Sequence, residues 1–432
     1  MRLDLVEHRR IIAQARSLAT SLVAMELLPV VVSIFASVIS PRALPAAVGV
    51  AGTFWLLRWI AHGRLTIRTP ADWAIILLAA TLPVTLWVTP ASETTQPQVY
   101  RLLTGILLYY AVVNWGVSFD RLRLLAMATI FAGFGLAVMA PVTVAWSHNR
   151  YAFLPSSAYS HFPSLLSEPL NPNVMAGALV VVLPVVLALL LFNWHSFSRL
   201  GRTTTGVTAF LTLGMLILTQ SRGALTGLGV AVLVMAGLRW RHGWFLAPAI
   251  AVIAGVVVAI FGVGPVLDLL LKNDALGGID VRLEAWSRAL YLIEDFPFTG
   301  AGMGAFQPVT NLLYPFFLKV GGLPHAHNLF LQIAADLGIP GLIAWLATLV
   351  VVIVAAWQTY AYGRARGNTW IAGVGAGLVC SQLALAVHGL TDAPLWGPDR
   401  PAVIVWGLWG LGVAGWNVCR RRERQTQLEV EA

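Results

Sequence analysis

The chain has 432 residues, of which 58% are hydrophobic and only 11% charged, and its mean hydropathy is +0.77. That balance excludes a soluble globular domain and implies repeated membrane-spanning helices. The net charge of +9 does not indicate nucleic-acid binding, because the arginines sit in short clusters between apolar runs, where membrane topology accounts for them. Cys380 and Cys419 lie in apolar runs and form neither a disulfide framework nor a metal-ligand spacing. No polar, cleavable-looking leader precedes the first apolar run, so that run reads as an anchor.

In chain order, the hydropathy pattern predicts an all-α polytopic membrane protein of about twelve spans: 18–39, 43–61, 71–89, 100–117, 122–146, 172–193, 204–220, 223–239, 244–267, 340–361, 370–391 and 400–418. Nineteen basic residues fall in alternate connections: Arg2, Arg9, Arg10 and Arg16; Arg58, Arg64 and Arg68; Arg121 and Arg123; Arg199 and Arg202; Arg239 and Arg241; Arg364 and Arg366; and Arg420, Arg421, Arg422 and Arg424. Nine fall on the other face: Arg42, Arg101, Arg150, Arg222, Lys272, Arg282, Arg288, Lys319 and Arg400. The positive-inside rule then places both termini in the cytoplasm, as an even number of spans requires. The predicted organisation is nine helices over 1–267, an extracytoplasmic segment with short amphipathic helices over 268–339, and three helices plus a cytoplasmic tail over 340–432.

The unusual residues collect on the outer face. Arg222 lies in Thr219-Gln220-Ser221-Arg222-Gly223, between two spans with almost no loop. Snorkelling to headgroups is one reading. The other is recognition of an anionic lipid, because guanidinium binds phosphate bidentately. An amphipathic helix is predicted over 280–294, with Asp280 as N-cap and Leu283, Trp286, Leu290 and Ile293 as its packing stripe. Arg288 has a ready partner in Glu284, four residues before it. Arg282 has none, and in the first turn it opposes the helix dipole, an arrangement that favours a bound anion. The glycines at 300, 302 and 304 read as a tight turn, not a dinucleotide site, since no strand–helix context surrounds them.

Pro324 is expected to start a helix, with Leu329, Phe330, Ile333, Ala334 and Leu337 on its apolar face and Gly338 and Pro340 ending it. On such a helix His325 and His327 point to different faces, a poor arrangement for two ligands of one metal. A histidine at the helix N-terminus is pushed toward the neutral form that a general base needs. The 147–171 connection carries His148, Arg150, His161 and Glu168 and leads into Asn171-Pro172-Asn173. Asn171 or Asn173 is expected to cap the following span, and this polar, aromatic loop suits sugar binding.

Together these stretches resemble the O-antigen ligase and polymerase superfamily of bacterial envelope glycosyltransferases. The resemblance rests on Asn171-Pro172-Asn173, on Ser221-Arg222-Gly223, and on Arg282 and Trp286 leading into Asp295-Phe296-Pro297-Phe298-Thr299-Gly300-Ala301-Gly302. It rests also on His327-Asn328 and Gln332, followed by Asp336-Leu337-Gly338-Ile339-Pro340-Gly341. Asp336 stands where relatives often carry Glu. The resemblance implies glycan transfer from an undecaprenyl-diphosphate carrier to an acceptor hydroxyl: the lipid A–core of lipopolysaccharide in ligases, a second lipid-linked repeat in polymerases, a protein hydroxyl in other relatives. The ligase is the favoured reading, at the periplasmic side of the inner membrane. It implies His327 as base and Arg222 and Arg282 on the diphosphate, with Arg288, His325, Asn328, Asn173, Arg150 and Lys319 as substrate-binding candidates. No cofactor is expected. No Asp-x-Asp motif of the kind that holds Mg²⁺ on a nucleotide-sugar is present, so metal independence is expected. The rival class, a transporter or flippase for an anionic lipid, requires midplane charges and repeat symmetry that the sequence does not display.

Overall fold

In the computed structural model, residues 2–146, 159, 162, 169–264 and 279–431 are described. Fifteen α-helices are found among them: α1 (Arg2–Val23), α2 (Leu27–Ile39), α3 (Leu44–His62), α4 (Asp72–Val88), α5 (Ser92–Trp115), α6 (Phe119–Thr143), α7 (Pro172–Phe192), α8 (Arg199–Thr219), α9 (Arg222–Arg239), α10 (Leu246–Phe261), α11 (Ile279–Asp295), α12 (Phe306–Leu313), α13 (Leu329–Ala365), α14 (Thr369–Gly389) and α15 (Val403–Glu431). The fold is all-α, as expected. Eight helical stretches are long and apolar enough to cross a membrane, and a ninth arises if α1 and α2, bent by 55°, form one span. The remaining expected spans correspond to α4, α5 and α8, which are helical but shorter or less apolar.

Two helices form the centre. In α7 the run Leu179, Val180, Val181, Val182 and Leu183 has no solvent exposure, and α14 is buried just as thoroughly. A helix apolar on all sides is stable only when other helices surround it. Here α14 packs on α7, α9 and α13. Close approach of α9 depends on Gly223 and Gly227, four apart on one face: a Cβ at Gly227 would lie 2.6 Å from the Ala384 carbonyl oxygen of α14. Small residues at this spacing let two helix backbones touch.

The helix starts are capped by side chains of the expected kind. Asn171 accepts the Asn173 N–H, so Asn171 is the cap of α7 and Asn173 lies inside the helix. Asn328 accepts the N–H groups of Phe330 and Leu331 at the start of α13. This helix therefore begins at Leu329, not at Pro324, and both histidines lie in the loop before it. Its direction breaks at Gly338, whose φ of 73° would strain any side chain. The Ala335 and Asp336 carbonyls at this break accept the N–H groups of Ala301 and Gly302. The glycine-rich stretch is thus a turn, and it clamps the α11–α12 segment onto α13.

That segment has its own small core of Ala285, Ala289, Leu292, Ala305, Phe306, Val309, Phe316 and Leu323. The packing face of α11 is therefore Ala285, Ala289 and Leu292, while Leu283 and Leu290 of the expected stripe are exposed. The alanines permit a close approach that the larger side chains do not. Asp280 sits in the first turn of α11 and does not serve as its cap, a position where a carboxylate still complements the dipole.

At the other end of the bundle, Arg121, Arg123, Arg202, Arg239, Arg366, Arg420 and Arg422 each lie over an aromatic ring. This is the composition of a membrane–water boundary. Arg58 differs from the loop cations with which its sequence position grouped it. It is buried and pairs at 2.7 Å with Glu26, which also accepts from Asn114, tying the α1–α2 bend to α3 and α5.

Candidate functional site

Four helix N-termini converge at one end of the bundle. Asn173 opens α7, Arg222 is the first residue of α9, Arg282 lies in the first turn of α11, and Asn328 caps α13. Arg222 reaches this place because Gln220 takes a left-handed conformation (φ 54°) that ends α8 and reverses the chain within two residues. Asn173, Ser221, Arg222, Gly223, Arg282, His388, Thr391 and Asp392 line a niche of about 10 Å³. Positive helix ends and guanidinium groups add in the same sense, so the niche favours an anion. Its volume admits about one oxygen-sized group.

Beside it, His325 and His327 come together, with ring centroids 4.2 Å apart. His327 has φ 48°, so the two side chains are not splayed as they would be on a helix. The expectation that they diverge is overturned for that reason. Both face Asp392, from the connection between α14 and α15: its Oδ1 is 3.3 Å from His327 Nδ1 and 3.8 Å from His325 Nδ1. Burial alone would raise the Asp392 carboxyl, but the His327 hydrogen bond and the neighbouring imidazoles outweigh it and hold the group well below the usual carboxylate range. His325 is lowered to about 4, chiefly by loss of hydration and then by His327, so it is neutral at neutral pH.

These contacts give the histidines different protons. The His325 Nδ1 accepts the His327 backbone N–H at 3.2 Å, so neutral His325 carries its proton on Nε2. An ionised Asp392 requires His327 Nδ1 to donate to it, which leaves His327 Nε2 as an acceptor. Trp286 steadies the loop by donating to the His327 carbonyl at 3.3 Å. Asp392 is held in turn by the Ala393 N–H at 2.9 Å. The ligand atoms of His325, His327 and Asp392 lie within 4.8 Å of one another, so among the described residues this trio has the composition and spacing to hold a metal ion.

The other sequence candidates have distinct places. Arg288 donates to Glu284 at 3.1 Å and to the Pro315 carbonyl at 3.1 Å, and packs among Tyr291, Phe316 and Phe317. It fastens the 315–318 loop and does not line the niche. Asn328 is likewise committed, through its cap and through a bond to the Leu390 carbonyl at 3.1 Å. Lys319 is exposed on the 314–322 loop, with its charge acting on His325. Arg150, with His148, His161 and Glu168, lies outside the described residues. The site residues that the sequence did not single out are Asp392 and His388. His388 is buried, with Nε2 3.4 Å from Ser221 Oγ and Nδ1 without a partner among the described residues. The Gly223/Gly227 spacing was the available signal that α9 meets the end of α14 carrying them.

Residues 207–346 match the family model described as O-antigen ligase. The match runs from α8 through the anion niche and the histidine loop into α13. No curated protein matches the chain. The chain is a multi-pass membrane protein, and its residues 207–346 are similar to the O-antigen ligase family.

Proposed function

We propose that this protein is an O-antigen ligase, which moves a glycan from undecaprenyl diphosphate to the lipid A–core of lipopolysaccharide at the periplasmic face of the inner membrane. The observation that carries the reading is the convergence of Arg222 and Arg282, each at a helix N-terminus, beside the His327–Asp392 pair. His327 Nε2 takes the proton of the acceptor hydroxyl as its oxygen bonds to the anomeric carbon. The bond from that carbon to the diphosphate oxygen breaks, and the departing charge moves toward Arg222 and Arg282. Asp392 orients the imidazole and stabilises its protonated form. The donor carries its own leaving group, so neither nucleotide nor metal enters the scheme.

The test is the lipopolysaccharide of a deletion strain. Accumulation of lipid-linked polymer above an unsubstituted core supports the ligase. A core bearing a single repeat unit assigns the chain to polymerisation instead. An unchanged glycan profile refutes both.

A further inference from the structure

Spacing along the chain speaks against His325 and His327 as ligands of one metal, but the folded loop turns both rings onto one carboxylate. Their Nδ1 atoms lie 3.8 Å and 3.3 Å from Asp392 Oδ1, and the three ligand atoms fall within 4.8 Å of one another. Around a tetrahedral Zn²⁺ with bonds of about 2.0–2.2 Å, adjacent ligand atoms stand about 3.3–3.6 Å apart. The trio is therefore already close to three corners of that tetrahedron. Room for water at the fourth corner exists in an opening of about 50 Å³ lined by His325, His327, Asp392, Asn171, Asn173 and Asp399. Asp392 Oδ1 also accepts the Ala393 N–H at 2.9 Å, the kind of bond that fixes a ligating oxygen. Two imidazoles and one carboxylate suit Zn²⁺ and not Mg²⁺ or Ca²⁺, which take oxygen ligands.

Such a cation changes what His327 can do. Without it, Nδ1 holds the proton and donates to Asp392, and Nε2 keeps the free lone pair. A metal needs the lone pair on Nδ1. The proton of the neutral ring then resides on Nε2. The atom that accepted now donates, and Asp392 no longer orients the ring, because its oxygen is on the metal. Two features keep the hold weak and reversible. The cation takes the His325 lone pair that now accepts the His327 N–H at 3.2 Å, and the positive charges of Arg282 and Lys319 act on the same loop. The trio therefore suits a visiting ion and not a resident one.

We propose that His325, His327 and Asp392 form an inhibitory site for Zn²⁺, in which the cation binds both Nδ1 atoms and Asp392 Oδ1 and holds His327 in the tautomer that cannot act as a base. The effect on turnover rests on the glycosyltransferase reading, whereas the binding of the ion does not. No substrate bond is made or broken, and the only proton that moves passes from Nδ1 to Nε2 of His327.

The experiment uses untagged full-length protein in detergent, with Zn²⁺ as the probe. Bound zinc is measured by equilibrium dialysis with atomic absorption, and transfer by single turnover with pre-bound donor. Zinc at saturation is expected to lower wild-type turnover by about 10²–10⁴, the contribution of the base, with recovery on chelation. Mg²⁺ should neither bind at the trio nor inhibit. His325→Ala removes one ligand and keeps His327 and Asp392. Loss of even an outer-shell partner typically weakens metal binding by about tenfold or more, so its zinc binding and its inhibition should both need at least that much more Zn²⁺. His195→Ala changes an exposed histidine beside Trp194, at the arginine–aromatic end of the bundle, and should behave as wild type. Equal zinc binding by wild type and His325→Ala would overturn the proposal, as would zinc-loaded protein that transfers at the zinc-free rate or faster. If zinc binds to wild type, is lost in His325→Ala, and no preparation transfers glycan from any donor, the metal site stands and the ligase reading falls. Transfer by protein that neither binds nor responds to Zn²⁺ leaves the ligase reading in place and removes the metal site.

Discussion

At the scale of single residues, the two histidines are separated by what their nitrogens already do. His327→Ala is expected to lower single-turnover transfer with pre-bound donor by about 10²–10⁴, the usual contribution of a general base. His325→Ala should fall less, since that residue positions its neighbour through the 3.2 Å bond to the backbone. A dead His325→Ala beside an active His327→Ala would reverse the assignment. Arg222→Lys and Arg282→Lys should each lose most activity, because lysine keeps the charge but not the planar fork. Arg288→Lys should instead loosen the 315–318 loop, seen as a lower thermal midpoint. Activity should persist in excess chelator, because the leaving charge meets guanidinium groups. The His325–His327–Asp392 trio makes that a severe test: loss in chelator and recovery with Zn²⁺ or Mn²⁺ would recast the trio as a metal centre.

The histidine loop also has a signed pH dependence. His325 is lowered to about 4 from its ordinary 6.5, so between those values the unfolded loop binds the proton more readily than the folded one. Its contribution to stability is therefore complete above about pH 6.5 and lost as pH falls toward 4. In thermal unfolding, His325→Gln should reduce the difference between the midpoints at pH 7 and pH 4.5; an unchanged difference would place the titration elsewhere.

At the scale of elements, the contact of α9 with α14 decides whether the site exists at all. It brings Ser221 to His388 and Arg222 toward Asp392. Gly227→Ala places a methyl group 2.6 Å from a backbone oxygen and should cost roughly 1–3 kcal/mol of overpacking, with loss of activity. Gly229→Ala, on the same helix with nothing within 4 Å of the added Cβ, should be tolerated. Equal midpoints for the two variants would show that α9 does not need this close approach. Sequence periodicity identified the helices but chose the wrong face of α11. The larger apolar residues suggested the stripe, whereas the alanines do the packing, and hydrophobicity alone does not rank closeness of approach.

At the scale of the whole molecule, the site and the arginine–aromatic rim occupy opposite ends of one bundle. The proposed orientation puts the site in the periplasm. Leu312→Cys, at an exposed position of α12, should react with a membrane-impermeant thiol reagent in intact spheroplasts, and Ala365→Cys at the end of α13 should not. The native Cys380 and Cys419 are buried and contribute little background. The opposite labelling pattern would invert the topology.

What the sequence by itself determined is what is local. Apolar runs must be helices in a membrane, one of Asn171 and Asn173 caps because an Asn side chain reaches the next N–H groups, and Gly338 breaks a helix because only glycine relaxes at that φ. The resemblance to the O-antigen ligase family was readable for the same reason, since its motifs are short and contiguous. Asp392 was not readable, because it lies 65 residues after His327 and becomes its partner only when the end of α14 meets the start of α13. Nor could spacing along the chain show that His325 and His327 share a carboxylate, because that depends on a loop conformation with φ 48° at His327.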